Sequence, residues 1–228
     1  MMYVKNPRLR LWLSILIPSF LIPAVVLAGA LLFDARAHLF ISLAVAILSL
    51  LLFVAGFEQK KIGTRRTVLV SVMIALCIVG RIIPFFKPVT ALVVLCAIYL
   101  GPQAGFYTGA LSALLSNFIF GQGPWTPFQM LAWGLIGLFA GLFAKPLQKR
   151  RVWLLLYGLF AGVAYSAVMD VWSVLWATGS MDAQAYLAAM LTALPHTALY
   201  VLSNLLFLWI CAKPIGDKLQ RIKIKYEI

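Results

Sequence analysis

Apolar residues in this chain fall into long, unbroken blocks rather than alternating with polar ones. Eight blocks stand out, at about 11–33, 39–57, 67–84, 89–100, 104–120, 128–144, 152–177 and 185–212. Most hold the roughly 20 residues that a helix needs to cross about 30 Å of hydrocarbon. They are too long and too uniformly apolar for the alternating strands of a closed barrel. A helix satisfies its own backbone hydrogen bonds, so the pattern predicts an all-α polytopic transmembrane bundle of about eight helices. The block at 89–100 is short and is followed by Gly101 and Pro102, which predicts a short or tilted helix packed against protein. Lys5, Arg8 and Arg10 precede the first block as in a signal peptide. That block runs from Leu11 to Phe33, too long for such a segment, and is read as a retained helix.

Composition agrees with a bilayer. Of 228 residues, 64% are apolar and 11% charged, with mean hydropathy +1.00. Soluble domains carry about 25% charged residues. The net charge of +13 would suit nucleic acid, but its placement points elsewhere, and no nucleic-acid partner is expected. The basic residues sit in the gaps between blocks. With the N-terminus in the cytoplasm, the inner segments hold Lys5, Arg8, Arg10, Lys60, Lys61, Arg65, Arg66, Lys145, Lys149, Arg150, Arg151, Lys213, Lys218, Arg221, Lys223 and Lys225. Only Arg36, Arg81 and Lys87 fall outside. This asymmetry predicts a multi-pass cell-membrane protein with both termini cytoplasmic. The outer loops beyond the first are then Pro84–Pro88, Gly121–Pro127 and Thr178–Gln184.

The chain is poor in catalytic signatures. Cys77, Cys96 and Cys211 each lie inside an apolar block, outside any CxxC pattern, and read as small buried residues. No metal site or cofactor is expected. There is no P-loop sequence for ATP, no HExxH and no GxSxG.

The unusual residues cluster at the outer loops. In Asn117–Met130, Gly121 and Gly123 permit backbone conformations closed to other residues, and Pro124 and Pro127 stiffen the turn. Trp125 and Phe128 offer flat apolar faces; Gln122, Thr126 and Gln129 offer hydrogen bonds. Such a turn suits capping a ring-bearing solute, and it equally suits a tight interhelical turn with an interfacial Trp. Arg81, placed about one turn inside the outer end of its helix, either snorkels to the interface or faces inward toward an anion or amide. Phe85 and Phe86 follow it. Asp170 is the only acid deep in an apolar block, and His196 lies about eleven residues into the last one. With Arg81 and Asn117 they would converge at one depth, as ligand contacts or as a structural pair. Trp172 and Trp176 could add apolar surface. Small residues four apart (Ser71 and Ala75, Gly105 and Gly109, Gly137 and Gly141, Gly158 and Gly162) allow close helix packing.

From about Thr67 to Ala212 the chain resembles the S component of energy-coupling factor (ECF) transporters. The resemblance is carried by Gly80-Arg81-Ile-Ile-Pro84, Lys87-Pro88, Gly101, Gly105, Gly109, Asn117 and the run Phe120–Met130. It implies a six-helix core at 67–212; the two helices expected within 1–66 are additional to the family's six, and the charge pattern leaves a basic cytoplasmic tail at 213–228. It implies a vitamin site beneath the three outer loops, with Arg81, Phe85, Phe86, Asn117, Gln122, Trp125, Asp170 and His196 as candidate contacts. The loop is most similar to members assigned to cobalamin or related corrinoids. The resemblance also implies a transmembrane coupling subunit and two cytoplasmic ATPases as partners, the former docking on Ser71 and Ala75. Here serine stands where the family usually has the first of two alanines.

Two rivals remain at the level of sequence. A membrane enzyme could use Asp170 and His196 as an acid–base pair if both reach one substrate position. A stand-alone transporter or structural membrane subunit would need no partner ATPases.

Overall fold

The computed structural model describes residues 16–32 and 63–226. The block expected at 39–57 lies outside the described residues, as do Lys5, Arg8, Arg10, Arg36, Lys60 and Lys61. Everything regular in the described part is helical. A π-helical turn, Ile17–Leu21, leads into α1 (Ile22–Leu32). Then follow α2 (Gly63–Gly80), α3 (Val89–Leu100), α4 (Pro102–Phe120), α5 (Thr126–Leu142), the short α6 (Ala144–Lys149), α7 (Arg151–Thr178) and α8 (Ala183–Tyr226).

Glycine and proline set the boundaries. Gly101 stops α3 with φ +97°, open to glycine, and Pro102 starts α4 at a position whose N–H needs no partner. α2 ends earlier than the apolar block implied, at Gly80 rather than near Pro84. Arg81 therefore lies just past the helix, although its N–H still closes the last turn onto Cys77 and Ile78. The reason is local. The chain folds back so closely that a Cβ on Gly80 would meet Pro88 Cγ at 2.5 Å, an approach that glycine permits.

The segment 213–226 is no loose tail. It continues α8 through Pro214 to Tyr226, giving 44 residues. At 1.5 Å per residue that is about 66 Å, far more than a bilayer core requires. Gly216, where a Cβ would sit 2.4 Å from Tyr99 Oη, and buried Leu219 hold the extension to the bundle.

Packing pairs the helices antiparallel. α4 and α5 are in backbone contact through glycine: a Cβ on Gly105 would strike the Gly137 carbonyl, one on Gly109 the Trp133 carbonyl, and one on Gly141 the Pro102 backbone. α7 meets α8 through Gly158 at Leu208, Gly162 at Val201, and a Ser166–Thr197 hydroxyl bond of 2.6 Å. Asn204 adds Nδ2 to the Gly158 carbonyl at 3.0 Å, a structural role. Three of the four small-residue pairs are thus consumed inside the chain. Among the described residues Ser71 and Ala75 are not: they lie exposed on α2 among exposed Val68, Val72, Leu76 and Val79.

α3 is buried at every position from Val89 to Leu100 except half-buried Tyr99, as expected of a short helix enclosed by protein. The outer surface is greasy, with Phe118, Ile119, Phe160, Leu187, Leu191 and Trp209 all more than half exposed. Polar side chains such as Thr108, Ser112, Asn117 and Gln129 are buried instead. Such an apolar exterior suits lipid rather than water. By length and composition, α7 and α8 can each cross a membrane, while α3 and α5 are shorter apolar helices.

Candidate functional site

The turns 81–88, 121–125 and 179–182 share one end of the bundle, the loop end. Beneath them lies a continuous polar relay. Arg81 Nη1 donates to Asn117 Oδ1 at 2.7 Å and to Ser116 Oγ. Asn117 Nδ2 donates to Thr126 Oγ1 at 2.8 Å and Gln129 Oε1 at 2.9 Å. Gln129 Nε2 donates to Tyr165 Oη at 2.8 Å. Thr126 Oγ1 in turn donates to Gln122 Oε1 at 3.0 Å, and Gln122 Nε2 to the Leu114 carbonyl at 3.0 Å. Asn117 is the hub, 1% exposed with its carbonyl and both amide hydrogens engaged. Because its Oδ1 faces a cation, its amide must point at the two acceptors, which in turn orients Gln129 toward Tyr165.

Arg81 is the charge of this site. No carboxylate among the described residues pairs with it. Its guanidinium carbon lies 5.0 Å from the Phe120 ring centre and 5.5 Å from that of Trp133. Aromatic faces and neutral acceptors hold the cation but leave its charge uncancelled. Burial, and after it the Arg81 charge, lower the nearby Lys87 ammonium below the usual lysine range.

Aromatic rings frame the relay. Trp133 stacks on Tyr165 with centres 5.1 Å apart, and Tyr165 meets Tyr200 edge-on at 5.0 Å. Trp125 folds over Gly123, where a Cβ would lie 2.2 Å from its ring, so only glycine fits there. The half-buried Trp125 ring meets Trp172 edge-to-face at 5.7 Å. Trp172 Nε1 is buried and makes no hydrogen bond in the described structure.

Of the residues singled out from the sequence, Arg81, Asn117, Gln122 and Trp125 come together here. Asp170 is buried on α7, but it forms no ion pair with Arg81 or His196. His196 is exposed on α8, so the two residues of the enzyme rival do not meet. Phe86 is half-buried. Phe85 is 74% exposed and has φ 62°, a strained conformation for a bulky residue at the tip of the turn. Among described residues no group of side chains is arranged to hold a metal. Cys77, Cys96 and Cys211 are all free. Ser116, Trp133, Tyr165 and Tyr200 belong to the site but escaped sequence reading. Only the Gln129–Trp133 spacing, one helical turn, hinted at a shared face.

Fold and site together define a helical membrane protein with a buried polar cluster around one cation, framed by aromatic rings. The family model described as "ECF-type riboflavin transporter, S component" matches residues 61–221, and the chain belongs to that family. It is accordingly a substrate-specific membrane subunit of an ECF importer, working with the ECF coupling module, and not an enzyme. The match gives no support to the corrinoid-type assignment drawn from the loop. No curated protein and no solved structure matches the chain.

Proposed function

We propose that the loop end faces the outside medium and binds a flat-ringed vitamin above the Arg81–Asn117–Gln129–Tyr165 relay. The supporting observation is a part-buried guanidinium that has hydrogen bonds but, among the described residues, no counter-charge, at the same end as an edge-to-face pair of tryptophans. A ring with carbonyl or imide groups on one edge supplies acceptors to Arg81 and apolar faces to Trp125 and Trp172. The unbonded indole N–H of Trp172 is a further donor for such a ligand.

A flavin is the first candidate. Its tricyclic ring has this edge-polar, face-apolar character, and riboflavin appears in the description of the matching family. A corrinoid is the second reading, favoured only by the run Phe120–Met130. Mass spectrometry of small molecules that co-purify with the protein separates the two, and a preparation that binds neither from a vitamin panel refutes both. Trp125→Ala should weaken vitamin binding about tenfold, the effect of losing one aromatic contact. An unchanged Kd by titration would reduce Trp125 to an interfacial anchor.

Orientation follows the charge asymmetry: the loop end outside, Lys145–Arg151 and the end of α8 in the cytoplasm. The exposed Ser71–Ala75 face of α2 then remains to receive the coupling subunit, with two ATPases beneath, and residues 67–212 act as the binding core. Ala75→Leu should cut ATP-driven uptake several-fold while leaving vitamin affinity intact; equal loss of both would mean the face packs within the chain instead.

A further inference from the structure

The bundle end opposite the loops carries a cavity of about 410 Å³ lined by Arg66, Tyr99, Leu100, Gly101, Lys145 and Lys223, with Ile98, Ala144 and Gln148. Three elements, α2, α6 and α8, each deliver one cation to it, and no carboxylate among the described residues lines it. Arg66 is half-buried; it donates Nη2 to the Leu100 carbonyl, and a Cβ on Gly101 would stand 3.1 Å from that same nitrogen. Its other donors have no hydrogen-bond partner in the described structure. Lys145 and Lys223 are exposed and free to swing inward. Three cations around one open hollow repel one another unless an anion sits among them.

The cavity borders an apolar surface. Leu142 and Phe143, which immediately precede Ala144, are 41% and 56% exposed. Polar cradle and greasy flank together match a molecule with an anionic head and an apolar tail, and phosphate is the oxyanion that arginine and lysine recognise jointly. We propose that this cavity binds the phosphate headgroup of an anionic membrane lipid, with its acyl chains lying against Leu142 and Phe143. The site is separate from the proposed vitamin site and does not depend on which vitamin is carried. A lipid held there ties together α2, α6 and the end of α8.

The test uses the full-length protein in detergent, with lipid binding read by native mass spectrometry. Phosphatidylglycerol should bind more tightly than phosphatidylcholine, and Lys145→Gln/Lys223→Gln should weaken it about thirtyfold, near the combined effect of two surface cations. These lysines are exposed, so the double variant should keep its fold and its vitamin affinity, measured on the same sample. Equal binding of the two lipids, or unchanged phosphatidylglycerol binding in the variant, overturns the proposal. Saturation by millimolar inorganic phosphate with no preference for phosphatidylglycerol also overturns it, assigning the cradle to a free anion.

Discussion

Arg81 and Arg66 stand near opposite ends of the same helix, and both are part-buried cations with no carboxylate among the described residues. Their surroundings differ. Arg81 is held by side chains: an amide, a hydroxyl and two aromatic faces. Arg66 is held by a main-chain carbonyl and shares its hollow with two lysines. The first arrangement has geometry without much charge, which on the proposed reading selects ligands by where their acceptors lie. The second has charge with little geometry, which on the proposed reading suits anionic phosphate heads as a class. Uptake needs selectivity for one vitamin, whereas lipid anchoring tolerates a class of molecules.

The contrast can be broken at either end. The largest effect is expected from Asn117→Ala. It removes one of Arg81's two side-chain acceptors and the donor that Gln129 and Thr126 accept from, and leaving such buried groups unsatisfied costs about 2–3 kcal/mol. Vitamin affinity should fall by about a hundredfold while phosphatidylglycerol binding at the other end stays intact. If both decline together, the variant has lost its fold rather than its site. The double lysine variant should show the reverse pattern, with a smaller loss confined to lipid. The smallest effect is expected from His196→Ala. That side chain is exposed and outside the relay, so the vitamin Kd should stay within about twofold. A larger loss would draw α8's exposed face into the site.

Much of the architecture was legible before any coordinates. Proline and glycine marked the ends of α3 and the start of α4, because one lacks a donor and the other tolerates φ +97°. Arg81, Asn117, Gln122 and Trp125 were visible as polar or aromatic residues that hydrocarbon would not otherwise accept. Trp133, Tyr165 and Tyr200 were not, because an aromatic inside an apolar block looks the same whether it meets lipid or a ligand. Similar depth along two helices does not say which way a side chain points: Asp170 is buried while His196 is exposed.

The residue order alone determined the helical class, the segment count proposed for the membrane and the separation of basic residues from aromatic loops. These depend on local backbone satisfaction and on hydropathy, which need no partner. Only the tertiary structure decided that Arg81 faces inward to an amide rather than outward to the interface. It alone decided that the small-residue pairs of α4, α5, α7 and α8 are spent within the chain while that of α2 is left over. It also carried the basic stretch after Ala212 on as helix, back to the foot of α2. Those outcomes turn on helix rotation and contact between distant residues, which periodicity does not encode.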